Sequence, residues 1–374
     1  MNPVDFVHPH IRQLAGYVPG LQTEDPEIIK LNTNENPFPV SAAVKNALIA
    51  ELQAGQLQKY PNPVSQRLRE ALSKKYGPAP EAFLVGNGSD EILSILFRAV
   101  LSPESGIVTA QPTYSLYPVI AALSNARCVE IPVKDNWHID LGVMLEEMQK
   151  KTTSMRQALC AFANPNAPTG ITETEADLLS FAKDNPGLTL IDEAYADFGN
   201  VSVFRYAGST AYPRLLVSGT ASKALSLAGQ RIGWLAGPVS FIQELEKIKD
   251  SYNVSKLAQV AACAAVQDSV EEKQRIKLVL ESRDWLIREL DKLGFTTLPS
   301  SANFIFTKPP VSVLSKSAAA PSELTPAGAY YDLLLRQKIL VRYWNTPQLK
   351  DWIRITIGTQ AQMETLLRVT TDLV

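Results

Sequence analysis

The chain has 374 residues, 45% hydrophobic and 20% charged, enough for one large globular domain and a smaller one. Its 36 basic and 38 acidic residues leave a net charge of −2, which excludes a basic field for nucleic acid or an acidic membrane. No run approaches the roughly 20 apolar residues of a membrane span, the N-terminus lacks the pattern of a signal peptide, and the scattered Cys128, Cys160 and Cys263 show neither a disulfide framework nor metal spacing, so a reducing cytoplasm is expected.

Residues 1–34 read as an extended arm carrying Pro3, Pro9, Pro19 and Pro26. A helix is expected after Pro39, with Ser41 as N-cap and Gly55 just past its end. A second helical pattern covers Val64–Tyr76 and closes at Gly77-Pro78. From residue 82 short apolar runs alternate with helical patterns such as Asp90–Leu101 and Glu173–Lys183. The runs lie at 82–85, 106–110, 128–133, 157–162, 188–191, 214–218 and 231–236. Seven strand candidates with helices between them predict an α/β fold, a mostly parallel sheet covered on both faces in a three-layer αβα domain. That large domain is expected over 35–265. The charged, periodic stretch Glu271–Leu293 predicts a long helix leading into a small α+β domain over 266–374. Its strand-like pieces are Phe304–Thr307, Ile339–Tyr343 and Trp352–Ile357. The Pro/Ser/Ala-rich segment 308–328 reads as a surface loop. There is no internal repeat.

The stretch Ser218–Trp234 holds one lysine, Lys223, among small and hydroxyl-bearing residues, with Arg231 eight positions on. Such a lysine can form a Schiff base with an aldehyde, and Thr220, Ser222 and Arg231 can hold a phosphate on the aldehyde's carrier. Together they point to pyridoxal phosphate. Four further motifs fit that cofactor. Phe83–Glu91 runs from a strand through a glycine turn into a helix, where the amides of Gly88, Ser89, Asp90 and Glu91 can receive an anion. Glu91 stands where a dinucleotide fingerprint would have its third glycine, and no Gly-Lys-Ser/Thr follows, which argues against NAD and the usual nucleotide loop. Ala163-Asn-Pro-Asn-Ala-Pro-Thr-Gly170 places Asn164 at a strand's carboxyl end, where ligands bind in open sheets. Leu188–Tyr195 puts Asp192 at the end of an apolar strand. There it can keep a pyridine nitrogen protonated, or simply cap the next element. Tyr195 can then join Asn164 at the phenolic oxygen. Gln111-Pro-Thr-Tyr114 offers Tyr114 to stack on the ring or to pack in the core.

With these residues in order, the sequence resembles the fold-type I, pyridoxal-phosphate-dependent aminotransferases of class I and II, and within them the histidinol-phosphate aminotransferase family. The likeness also runs through Leu31-Asn-Thr-Asn-Glu-Asn-Pro37, Tyr60-Pro-Asn-Pro63, Asn303-Phe304, Leu340-Val-Arg-Tyr343 and Trp352-Ile-Arg-Ile-Thr-Ile-Gly-Thr359. The resemblance implies that Lys223 carries the cofactor, Asp192 pairs with its ring nitrogen and Asn164 and Tyr195 bond its phenolic oxygen. Tyr114 would stack on the ring. The Ser89–Glu91 turn, Thr220, Ser222 and Arg231 would hold the phosphate. It implies that Tyr60 reaches the phosphate of a neighbouring subunit, so that the active unit is a homodimer. It places Tyr17 and Asn34 in the arm and loop that close over substrate. Arg342 and Arg354 are the expected substrate anchors, because guanidinium forks suit carboxylate and phosphate alike. The implied substrates are L-histidinol phosphate and 2-oxoglutarate, with glutamate as product. Two departures stand out. Gly219 replaces an arginine the family often has, and segment 308–328 is longer than expected.

Three other readings stay open. One is an aromatic amino-acid transaminase on the same scaffold. Another is a lyase that decarboxylates an O-phospho amino acid. The third is a cofactor-binding regulator, although only about 30 residues precede the first motif, too few for an added DNA-binding domain.

Overall fold

Alternation decides which strand residues face which layer. In the run Leu159–Phe162, Leu159 and Ala161 pack in one buried apolar cluster while Cys160 and Phe162 pack in another. The same split divides Leu190 from Ile191 and Leu216 from Val217. A strand apolar on both faces needs cover on both faces, and here the period-2 pattern feeds two helical layers. The computed structural model describes residues 2–17, 19–154, 158–316 and 324–374.

All seven apolar runs form one sheet: β1 (Phe83–Gly86), β2 (Gly106–Gln111), β3 (Arg127–Pro132), β4 (Ala158–Ala163), β5 (Leu188–Asp192), β6 (Leu215–Thr220) and β7 (Gly233–Ala236). Gln157, at the start of the fourth expected strand, lies outside the described residues. The spatial order is β1-β7-β6-β5-β4-β2-β3. Only β7 runs against the rest, pairing antiparallel with both β1 and β6. The chain is therefore an α/β protein with a mostly parallel seven-stranded sheet. The helices Ala42–Gln53 and Gln66–Tyr76 form near the expected positions, with the Ser41 hydroxyl accepting from Val44 N–H.

The helix Ser269–Lys292 leads to a second sheet of β8 (Thr296–Thr297), β9 (Phe304–Lys308), β10 (Arg342–Tyr343) and β11 (Ile353–Thr356), in the order β10-β11-β9-β8 and antiparallel throughout. Ile305, Ile353 and Ile355 face a core shared with the helices Ser269–Lys292, Pro326–Arg336 and Gln360–Leu373. The alternate residues face the large domain. Phe304 meets Tyr195, with ring centroids 5.1 Å apart. Phe306 stacks on Trp352 at 5.1 Å, and Trp137 closes on both rings edge-on.

Two expectations need revision. The end of the arm belongs to the small-domain core: Ile29–Lys30 pairs in parallel with Ile339–Leu340, and Leu31 is buried there. The segment 308–328 is not simply a loop. Val311–Lys316 forms a 3-10 helix that buries Val313, and Pro326 opens a helix whose N-cap is Thr325. Threonine before proline is a helix start. Residues 317–323 of that segment lie outside the described residues.

Candidate active site

The parallel register brings the ends of several strands to one edge. Ala163 lies opposite Asp192, Asp192 opposite Ser218, and Gly233 opposite both Thr220 and Gly86. The small-domain sheet and the arm close the other side. Between them lies a cleft of about 380 Å³ lined by Tyr17, Asn34, Asp192, Tyr195, Lys223 and Arg354 among others.

Lys223 follows β6, and its Nζ donates to the Thr33 carbonyl at 3.1 Å, 5.6 Å from the centre of the Tyr195 ring. Asp192 ends β5 and is 3% exposed. Burial pushes its carboxyl up from the ordinary range, while the Tyr117 hydroxyl and the Ala194 N–H favour its charged form. Tyr117 donates to Oδ2 at 2.9 Å and Ala194 to Oδ1 at 3.3 Å. Among the described residues no cation pairs with Asp192, so a buried acid waits for a positively charged partner.

Asn164 is fully buried beside it, its N–H bonded to the Asp192 carbonyl at 2.9 Å. Its Oδ1 accepts from Glu173 N–H at 2.7 Å, but its Nδ2 has no acceptor among the described residues. An orphaned buried donor costs about 1–3 kcal/mol, which a ligand oxygen would recover. The Tyr195 hydroxyl accepts from Asn34 Nδ2 at 2.9 Å. Asn34 is itself fixed in a left-handed conformation (φ 55°) by Thr356, whose hydroxyl lies 3.0 Å from both its N–H and its Oδ1. Tyr114 stands edge-on to Tyr17 at 6.1 Å and to Tyr117 at 5.6 Å.

At the far end of this face the backbone makes a cradle. Gly88 (φ 87°) precedes the helix Ser89–Val100. A Cβ there would lie 2.6 Å from Arg231 Nη2, and one on Gly233 would lie 2.5 Å from Ser89 N. Glycine at both points lets Ser89, Asp90, Ser222 and Arg231 converge. Thr220 Oγ1 lies 2.9 Å from Ser222 Oγ. The Asp90 carboxylate meets Arg231 at 2.8 Å and accepts from the Tyr114 hydroxyl at 2.9 Å. The Glu91 side chain accepts from Asn87 N–H and from Asn253 Nδ2, and so shapes the turn whose amides are expected to receive the anion. Tyr60 also lies outside its own chain's cleft, 78% exposed and stacked on Tyr252 at 4.3 Å. Gly219 has a plain reason: a Cβ would sit 2.5 Å from Trp234 Nε1 and 3.0 Å from Phe204 Cζ, leaving no room for a side chain.

The opposite wall is cationic. β10 and β11 place Arg342 directly across from Arg354. Arg354 Nη2 donates to the Asn32 carbonyl at 2.8 Å, its Nε is buried without an acceptor, and among the described residues no carboxylate pairs with it. Burial lowers its pKa, and the neighbouring Arg342 lowers it further.

This donor set fits a phosphorylated pyridine aldehyde. A lysine amine, a buried unpaired acid, an orphaned amide donor and a glycine-lined anion cradle sit at successive points of one edge. The model for "Aminotransferase class I and II" matches residues 26–369. The chain belongs to the class I and II aminotransferases. Among its relatives are proteins named histidinol-phosphate aminotransferase from Geotalea uraniireducens, 38% identical over 362 residues, and Geotalea daltonii, 37% identical over 356 residues. Each alignment covers 95% of both chains. The solved histidinol-phosphate aminotransferase of Sinorhizobium meliloti, described in complex with pyridoxal-5'-phosphate, superposes with a TM-score of 0.85 at 25% identity, covering 99% of this chain and 98% of that one.

In this aminotransferase two residues of the site escaped the sequence reading. Tyr117, three positions after Tyr114, lies on the helix Leu116–Leu123, whose turn brings its hydroxyl under the sheet edge to Asp192. The i, i+3 spacing of the two tyrosines was the available signal. Trp344, two positions after Arg342, lines the cleft. It lies just past the end of β10, where the strand's alternation no longer fixes its direction.

Proposed function

We propose that this aminotransferase uses pyridoxal phosphate to transfer the amino group of L-histidinol phosphate to 2-oxoglutarate, giving imidazole acetol phosphate and L-glutamate; relatives named histidinol-phosphate aminotransferase support the choice of amino donor. The observation that carries the substrate choice is the directly opposed pair Arg342 and Arg354. Like charges across a strand pair disfavour each other unless an anion is to be received. A phosphate ester in one half-reaction and a dicarboxylate in the other both meet that need.

When bound, the cofactor supplies a carbonyl that captures the substrate's amine and a ring that takes up the negative charge left at the substrate carbon. The protein's part follows from its own atoms. Lys223 Nζ would hold the cofactor and would carry the proton from the substrate's amine-bearing carbon to the cofactor's carbonyl carbon, so that the amino group stays with the cofactor. Asp192 keeps the ring nitrogen protonated, and Tyr117 keeps Asp192 charged. Asn164 Nδ2 and the Tyr195 hydroxyl bond the phenolic oxygen, with Asn34 orienting Tyr195. Tyr114 packs on the ring. Ser89, Asp90 N–H, Thr220, Ser222 and Arg231 hold the phosphate, for which Arg231 exchanges the Asp90 carboxylate. Tyr17 covers the substrate and helps exclude water. The exposure of Tyr60 supports its service to a second subunit's phosphate, and hence a homodimer; the scattered cysteines support a cytoplasmic location. The division of labour follows an arm whose end, from Ile29, joins the small domain, a large domain over 35–265 and a small domain over 266–374.

The test is a half-reaction. The purified, cofactor-loaded protein is mixed with L-histidinol phosphate alone, and the cofactor's visible absorbance is followed. Rapid loss of the band, reversed by 2-oxoglutarate, is expected. No change with histidinol phosphate but conversion with phenylalanine or tyrosine would replace this reading with an aromatic transaminase. Release of CO2 without need of a keto acid would replace it with a decarboxylase.

A further inference from the structure

Two guanidiniums directly opposed on an antiparallel pair should splay apart to lower their repulsion. Here they do not stand alone. The Arg342 guanidinium carbon lies 5.1 Å from the centre of the Trp344 ring, and that of Arg354 lies 5.2 Å from the same ring. Trp344 follows β10 and lines the cleft. Arg354 also meets the Phe304 ring at 5.3 Å, but Phe304 reaches only that one arginine. Trp344 lies within reach of both guanidiniums.

We infer that Trp344 is a positioning residue of the anion end: its indole draws both guanidiniums to one ring and sets the two-arginine grip on a phosphate ester. The inference rests on the proposed role of Arg342 and Arg354 as anion anchors. An indole is the strongest neutral attractor for a cation among side chains, and the attraction grows as the pair loses water. The ring offsets part of the like-charge repulsion without supplying a negative charge that would compete with the substrate. A carboxylate in its place would neutralise the arginines and close the site to anions. A ligand with three acceptor oxygens can use both forks at once, so a phosphate depends on their spacing more than a single carboxylate held by one fork does.

The test uses the cofactor-loaded enzyme with inorganic phosphate as a competitive probe and L-histidinol phosphate as substrate. Trp344→Leu removes the ring and keeps an apolar side chain, and Trp344→Phe restores a ring. Trp344→Met stands in if the leucine variant loses its cofactor absorbance or melts early. The expected result is a rise of roughly five- to tenfold in both the phosphate Ki and the KM for the ester in the leucine or methionine variant. The fall in kcat is expected to be smaller, and phenylalanine should recover more than half of the loss. An Arg354→Gln control separates the two layers of the argument. If Arg354→Gln loses phosphate inhibition while Trp344→Leu stays within twofold of the parent, the anchors stand and the role of Trp344 is overturned. Equal weakening by leucine and phenylalanine also overturns it, because the side chain then only fills space. If Arg354→Gln leaves phosphate inhibition intact, the anchor reading fails and the inference falls with it.

Discussion

The two ends of the cleft solve opposite electrostatic problems. At the sheet edge, buried polar groups are mostly satisfied by the protein: Asp192 by Tyr117 and Ala194 N–H, Asn164 Oδ1 by Glu173 N–H, Tyr195 by Asn34. What is left over includes the Asn164 Nδ2 donor and the Asp192 acid, which no cation pairs among the described residues. At the small-domain wall, two cations face each other across a strand pair and lean on aromatic rings. One end is built to hold a fixed cofactor in one pose. The other holds positive charge in reserve for ligands that come and go. Preorganised dipoles suit the first task, and guanidinium forks suit the second.

The sharpest way to break this contrast is Lys223→Ala. If the sheet edge carries the chemistry, the overall rate should fall by on the order of 10²–10⁴-fold or more, with phosphate inhibition at the other end retained. Steady-state turnover and absorbance report this together, and near-parental turnover would move the chemistry elsewhere. Arg354→Gln is the mirror experiment. It removes a charged hydrogen-bonding group worth about 1.5–3 kcal/mol, so KM for the phosphate ester should rise roughly 10- to 100-fold while the bound cofactor's spectrum stays unchanged. A spectral shift in that variant would mean that the two ends are not separate devices.

Tyr117→Phe asks a smaller question. Asp192 already has its carboxyl pushed up by burial, and the Tyr117 hydroxyl favours the charged form. Losing that donor raises the carboxyl further, so Asp192 becomes protonated, and stops holding a ring cation, at a higher pH than in the parent. Cofactor affinity measured against pH should therefore fail earlier on acidification, with a loss of several-fold at neutrality from one hydrogen bond of about 1 kcal/mol. Superimposable affinity profiles for the two proteins would show that Ala194 N–H and the strand end suffice to hold Asp192.

Legibility in the sequence follows the same divide. The cofactor edge was readable because its groups sit at strand ends, and strands announce themselves by apolar runs bounded by Gly, Pro and Asn. Lys223, Asp192, Asn164 and Arg231 each lie within a few residues of such a boundary. The direction of the Glu91 side chain is not legible, because a helix start offers side chains in several directions, and Asn253, 162 positions away, decides which one its carboxylate takes. The arm was read as extended because its prolines hide a two-residue pairing whose partner lies more than 300 positions on. Segment 308–328 was read as a loop because its composition outweighed the short Thr325-Pro326 start signal.

Local pattern alone therefore determined the large domain's strand content, the lysine and acid of its edge, and the glycine turn that receives an anion, since each depends on neighbours a few bonds apart. Tertiary structure decided the rest: that Tyr117 reaches Asp192, that Gly219 must be bare to admit Trp234, and that Arg342 and Arg354 are opposed with Trp344 against both. Those facts depend on register and packing between segments far apart in the chain. Sequence spacing carries no record of them, because a one-residue slip in pairing would by itself turn Arg342 away from Arg354.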